Sequence, residues 1–370
     1  MIQEQWLKYG RKVEKGRVRD FGQLRYAMRS VLANAPYVRN LIIVVSSKES
    51  QTPSWLNATH PRIRIVEHKE IWDDPSTLPS FSSHQIEWNL MNIPNLAPLF
   101  LYLNDDFAIQ TPLELPLIWP GPGQHVLYEA WEAPTASEVL RTPGMDTYGK
   151  SLEPGQHVLH EAWEAPHASK VLRTPRVDKY GKPLTSGQLL LYEPFRTPHA
   201  SEVLRTAGMD TYSKSLAFVR SLYDNKYGRI AQRKVASHVP LLFNRFIVKT
   251  IKSDWPKEYD AMYRVPFRTP HDLQFQFAYQ QYIRQHFKFS VAPSDHVHFV
   301  SMWADPYENA RTFSEIKLNP RLFMCLQDGF ADRTPSQLAI RQVHEFYNTM
   351  FPTEGPWELN TDDYYSEMIR

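Results

Sequence analysis

The sequence predicts an α/β protein, a mixed sheet flanked by helices and interrupted by a long duplicated insertion. Three observations lead there. Apolar runs of strand length alternate with segments of helical periodicity. One such run, Leu99-Phe100-Leu101-Tyr102-Leu103, ends abruptly in Asn104-Asp105-Asp106 before Phe107. In mid-chain, related units begin at Gly123, Gly155 and Gly187, each 32 residues after the last.

In chain order, Asp20 is expected to cap a helix from about Phe21 to Ala33, with Leu24, Met28, Val31 and Leu32 on its apolar stripe. Arg25 and Arg29 lie four apart on another face, which is either solvated or reaches a phosphate through forked contacts. Leu41 to Val45 is a β-branched strand, and Ile63, Ile65 and Val66 form a second. A polar loop, Leu78 to His84, precedes a helix from about Gln85 to Asn92. The Leu99 run then reads as a strand buried on both faces. Its acidic end needs water, a cation or a donor. Adjacent carboxylates beyond the carboxyl end of a strand suit a divalent ion that neutralises a phosphate. A solvated acidic turn is the alternative.

Between Pro112 and Phe218 the pattern changes. Gly123-Gln124-His125-Val126-Leu127-Tyr128-Glu129-Ala130-Trp131 recurs nearly unchanged from Gly155, and a diverged copy begins at Gly187. Each copy is rich in proline and lacks a clean helical or strand pattern, which favours tandem duplication of a surface segment over a stacked solenoid. His125, His157, His167 and His199 follow the repeat and not a ligand geometry. Beyond it, helices are expected at Phe218 to Tyr223 and Leu241 to Lys252. Asp272 then caps an aromatic helix from Leu273 to about Phe287. Strands follow at Phe299 to Trp303 and Leu322 to Leu326, then a Ser336-capped helix from Gln337 to Met350. The tail after Pro352 is acidic and reads as irregular.

A net charge of +2 gives no argument for nucleic acid as a partner. No stretch approaches the roughly 20 apolar residues of a membrane span. The single cysteine, Cys325, excludes an internal disulfide framework and a cysteine-rich zinc site.

Several blocks together resemble the Stealth family of sugar-phosphate transferases. Its second conserved block is similar to Arg19 through Tyr26, Ala35 through Asn40, Pro53 through Asn57, His68-Lys69-Glu70, Leu78 through Ser83, Ile86-Glu87 and Tyr102 through Asp106. The third resembles Ser237-His238-Val239-Pro240 through Arg245, then Arg268, Asp272, Gln274 and Phe275. The fourth resembles Cys325-Leu326-Gln327-Asp328 and the helix into Met350-Phe351-Pro352, with Gln327 where Asn is usual. On this reading the second block occupies 17–112 and a Pro-rich insertion 113–217. The third block occupies 218–290, the fourth 291–352, and an acidic tail 353–370.

The resemblance implies a nucleotide-sugar-transferase-like sheet and a phosphotransferase. It would move a sugar-1-phosphate from a nucleotide-sugar, expected to be a UDP-sugar, to a hydroxyl of an acceptor glycan, glycoprotein or polysaccharide. By the same resemblance, Asp105 and Asp106 bind Mg2+ or Mn2+ against the pyrophosphate, with Asn104 fixing the geometry. His238 is the candidate general base, although a helix-capping or core histidine is the simpler reading of that residue alone. Arg268 and Arg25 hold phosphate oxygens, Arg245 belongs to the substrate site, and Asp272 is a metal ligand or a helix cap. The family's first block, an Asp-Val-Val-Tyr-Thr-Trp strand, and its N-terminal anchor are not in this sequence, so a fragment or a less active member is expected. Location in the Golgi lumen or secretory pathway follows from the resemblance alone. Two alternatives stand beside it, a metal-dependent glycosyltransferase and an inactive glycan-binding relative.

Overall fold

A computed structural model describes residues 19–135, 210–330 and 333–359, together with Trp6, Leu7 and Tyr9. The first full element among the described residues is helix α1 (Gln23–Asn34). Asp20 acts one step before it. Its Oδ1 accepts from the Gly22 N–H at 2.7 Å, and Gly22, at φ 75°, turns the backbone into the helix. The start expected at Phe21 falls inside that turn. Strand β1 (Leu41–Val45), α2 (Lys48–Gln51), β2 (Ile63–Glu67), α3 (His68–Ile71) and α4 (Ser83–Asn89) follow, then β3 (Leu99–Tyr102), β4 (Phe107–Ile109), β5 (Gln124–Leu127) and β6 (Glu129–Glu132).

The chain resumes with α5 (Thr211–Tyr227), β7 (Lys234–Ala236), β8 (Leu241–Asn244), α6 (Arg245–Asp254), α7 (Pro256–Met262) and α8 (Phe275–His286). It ends in β9 (Lys288–Val291), β10 (Val297–Met302), α9 (Pro306–Leu318), β11 (Phe323–Asp328) and α10 (Gln337–Met350).

The α/β class holds, with mixed pairing. β1 runs parallel to β2, and β10 to β11. β4 closes antiparallel on β11, with Phe107 opposite Cys325. β3 pairs antiparallel with β8, Tyr102 facing Leu241. Each residue of β3 is partly buried, and its two faces pack on different cores, Phe100 and Tyr102 on one and Leu101 on another, as its apolar run suggested. Among the described residues its one strand neighbour is β8. The helix expected from Leu241 is split by that pairing. Leu241-Leu242-Phe243 pairs with Phe100-Leu101-Tyr102, and helix begins only where the Asn244 side chain accepts from the Phe246 N–H at 2.9 Å.

The opening of the first repeat copy, 123–135, lies within the fold. β5 runs parallel to β9 and β6 antiparallel to β7, so residues assigned to an insertion beginning at 113 are sheet. Tyr128 is buried, edge-on to Phe323 at 5.1 Å, and its hydroxyl donates to the Leu117 carbonyl at 3.0 Å. Glu129 pairs with Arg284, and Glu132 with Arg220 at 2.7 Å. The copies from Gly155 and Gly187 lie outside the described residues.

The largest core packs Trp88, Phe243, Phe275, Phe277 and Trp255 between α4, β8 and the helices after it. A second joins β10 and β11 to α9 and α10 through Met302, Met324, Phe313, Val343 and Phe346. The tail through residue 359 is irregular, as expected, but it is docked. Trp357 is fully buried, the Leu359 N–H donates to the Trp55 carbonyl at 2.7 Å, and Leu56 bridges Glu358. A run that looks acidic and irregular carries one large apolar side chain, and its burial docks the segment. Among the described residues no helix is long and apolar enough to cross a membrane.

Candidate active site

Pairing of β3 with β8 builds the site. Because Tyr102 faces Leu241, the acidic turn leaving β3 emerges beside the residues that enter β8, namely His238-Val239-Pro240. The first repeat copy helps to hold them, since the Tyr128 carbonyl accepts from the Ser237 N–H at 2.8 Å. The His238 ring is packed against Phe299, with centroids 5.3 Å apart, and Phe107, at 6.0 Å. Loss of hydration, then the nearby Arg268 charge, lowers its pKa to about 4. The imidazole is therefore neutral at neutral pH and carries a free lone pair for a proton.

Asp106 continues from the turn into the sheet, its carbonyl accepting from the Leu326 N–H at 3.0 Å. Its carboxylate accepts from Cys325 Sγ at 3.4 Å. Dehydration and the neighbouring Asp105 charge raise it to about 7. Asp105 is an exposed residue of the turn. Dehydration first and the charge of Asp20 as a further cause raise its pKa as well. Two like charges held together gain from a cation between them.

Behind this turn lies a residue that sequence reasoning left without a role. Glu87, on α4, is 5% exposed, and its Oε1 accepts from the Tyr102 hydroxyl at 2.9 Å. The same hydroxyl is close to Asn104 Oδ1, so Glu87, Tyr102 and Asn104 form one chain leading to the acidic turn. Burial raises Glu87 to about 7, opposed by Tyr102, the Arg268 charge and Gln276. An acid within the apolar Ile86-Glu87-Trp88 stretch of a helix was the available signal. Arg268 completes the group. Its Nη2 donates to Ser83 Oγ at 2.6 Å, one turn before Glu87, and its charge acts on Glu87, His238 and Tyr212.

Three expected site residues are engaged elsewhere. Arg25 is 5% exposed, with Nε 3.3 Å from Glu358 Oε2 and its guanidinium 4.8 Å from the Trp55 ring centre. Arg29 meets Glu358 at 2.6 Å, so this arginine face clamps the docked tail and presents no fork to a phosphate. Arg245 donates to the Leu96 carbonyl at 2.8 Å, at the opposite end of β3 from the carboxylates. Asp272 does not cap α8, whose N-cap is Gln274. It is fully buried, accepting from Thr269 Oγ1 at 2.6 Å and Ser82 Oγ at 3.5 Å, with His84 Nδ1 at 3.2 Å. Those contacts tie it to the start of α4. Asp328, at the end of the fourth-block motif, is held by Arg19 Nε at 2.7 Å.

Glu87 and Asn104 to Asp106 thus come from one half of the chain, and His238, Arg268 and Asp272 from the other. Sequence comparison divides at the same place. Residues 17–122 match the profile of Stealth protein conserved region 2, and residues 237–285 that of conserved region 3. The chain thus carries two conserved regions of the Stealth family. It is 48% identical over 87 residues to an exopolysaccharide phosphotransferase of Streptomyces coelicolor, covering 24% of this chain and 14% of that protein. It is 38% identical over 132 residues to the human N-acetylglucosamine-1-phosphotransferase subunits alpha/beta, covering 34% and 10%. With an exopolysaccharide phosphotransferase of Mycobacterium tuberculosis it shares 22% identity over 351 residues, 93% of this chain and 51% of the relative. The chain therefore spans about half of these relatives' length or less.

Proposed function

We propose that this chain transfers a sugar-1-phosphate from a UDP-sugar to a hydroxyl of an acceptor glycan. The observation that supports the reading is the β3–β8 register, which sets the Asp105-Asp106 turn beside the approach of His238 to β8, within the electrostatic reach of Arg268. The acceptor oxygen attacks the β-phosphorus, the new O–P bond forms, and the bond to the α-phosphate oxygen breaks. UMP departs, and the acceptor proton passes to His238. Arg268 faces the phosphoryl oxygens as charge redistributes. Glu87 is a positioning residue that acts through Tyr102 and Asn104 on the Asp105-Asp106 turn.

Asp105 and Asp106 fit a Mg2+ or Mn2+ ion. Each carboxylate is raised in pKa without a cation, and among the described residues no set of three or more His, Cys, Asp or Glu is arranged to hold a metal ion by itself. That donor set suits an ion that takes its remaining ligands from water and substrate phosphates. When bound, the ion supplies charge neutralisation for the pyrophosphate. An exopolysaccharide or secretory glycan as acceptor, and a lumenal secretory location, go with this reading. The test is incubation of the full chain with UDP-N-acetylglucosamine, Mn2+ and a panel of methyl glycosides. UMP release that disappears in Asp105→Asn and His238→Gln supports the proposal. UDP release would instead mean glycosyl transfer.

A further inference from the structure

The acidic turn shares its sheet end with a pair of exposed aromatic residues. β10 leads into Trp303, and α9 begins shortly after. Asn309, fully buried, grips the Trp303 main chain on both sides: Oδ1 accepts from its N–H at 2.7 Å and Nδ2 donates to its carbonyl at 2.8 Å. This clamp fixes the backbone while the residue stays 37% exposed. Tyr307, whose N–H is held by Asp305 Oδ1 at 2.9 Å, is 85% exposed. Two large rings on a fixed backbone, left in water, give up burial that a folded chain ordinarily takes.

Register relates them to the carboxylates. Met302 lies opposite Asp328, and Leu326, two residues before Asp328, bonds to Asp106. With strands about 4.8 Å apart and residues about 3.3 Å apart along them, the Trp303 backbone stands about 14 Å from that of Asp106. A short oligosaccharide spans that separation. Close packing keeps β11 tight against this edge, because a Cβ on Gly329 would come within 2.4 Å of the Met302 carbonyl oxygen. Asp305, Glu308 and Arg311, close to both in sequence, are exposed as well. An aromatic pair in a polar setting suits a hydroxyl-rich ligand, which stacks its C–H face and hydrogen-bonds at its rim, better than an apolar protein face.

We infer that Trp303 and Tyr307 form a stacking subsite for the distal sugars of the acceptor glycan, an assignment that rests on the transferase reading above. Affinity electrophoresis of the full chain through gels containing mannan, dextran or galactan tests it. Wild type is retarded by at least one polysaccharide, and Trp303→Ala/Tyr307→Ala loses about tenfold in affinity, two ring contacts' worth. Trp303→Phe retains part of the retardation, and an unchanged melting temperature of the alanine pair excludes misfolding. Absence of retardation for wild type in all three gels, or equal retardation of the alanine pair, overturns the subsite. The latter is the outcome for a patch that serves a protein partner. UMP release from UDP-N-acetylglucosamine, measured in parallel, separates the two claims. Its absence with ring-dependent retardation intact sinks the transfer reaction and leaves the glycan contact standing. Its presence with ring-independent retardation does the reverse.

Discussion

Replacing Glu87 by glutamine exposes the electrostatics of the site through stability alone. The carboxyl titrates at about 7 in the fold against an ordinary 4.5. That difference of roughly 2.5 units corresponds to about 3 kcal/mol between its neutral and ionised forms. The folded chain binds this proton more tightly than the unfolded chain. Its stabilising contribution is therefore complete below the ordinary value and is lost as pH rises through about 7. Glutamine keeps an oxygen for Tyr102 and cannot ionise. Unfolding in urea from about pH 4 to about pH 8 thus shows Glu87→Gln gaining about 3 kcal/mol on wild type across that window. Asp106 titrates in the same range but is present in both proteins and cancels. A difference that stays flat with pH refutes the reasoning, because it means that the Glu87 carboxyl is not held neutral by burial.

Other consequences are as specific. Glu358→Ala removes the carboxylate shared by Arg25 and Arg29 and costs about 3–5 kcal/mol by calorimetry. It leaves the KM for UDP-sugar unchanged in the folded fraction, whereas a phosphate-binding Arg25 would raise it. Tyr128→Ala costs about 3 kcal/mol in urea unfolding, because the first repeat copy is core. His238→Gln lowers kcat by about 10²–10⁴ with little change in donor KM. Since His238 ionises only near 4, the wild-type rate shows no limb at the usual histidine pKa that vanishes in this variant.

Much of the framework was legible because it is local. β1, β2, β10, β11 and α10 carry their own apolar pattern, and the ordered motifs around Asp105, His238 and Arg268 fall in the two segments that match Stealth conserved regions. What was illegible depends on partners distant in sequence. Leu241-Leu242-Phe243 suits helix or strand equally, and β3 decides it. Phe107-Ala108-Ile109 is too short to announce a strand, and its antiparallel pairing with β11 makes one. Near-identity of the repeats suggests a surface segment, yet burial of Leu127 and Tyr128 ties the first copy to the core. Arg25 looks like a phosphate ligand until Trp357 docks and brings Glu358 to it. Glu87 gains its proton from burial that no spacing rule reports.

The central claim is that the reacting bond is the pyrophosphate. UDP-N-acetylglucosamine labelled at the β-phosphate, incubated with the chain, Mn2+ and an acceptor glycan, tests this directly. The account predicts that the label moves to the acceptor while unlabelled UMP is released, and that Asp106→Asn stops both. Label that stays in UDP while unlabelled sugar reaches the acceptor contradicts it.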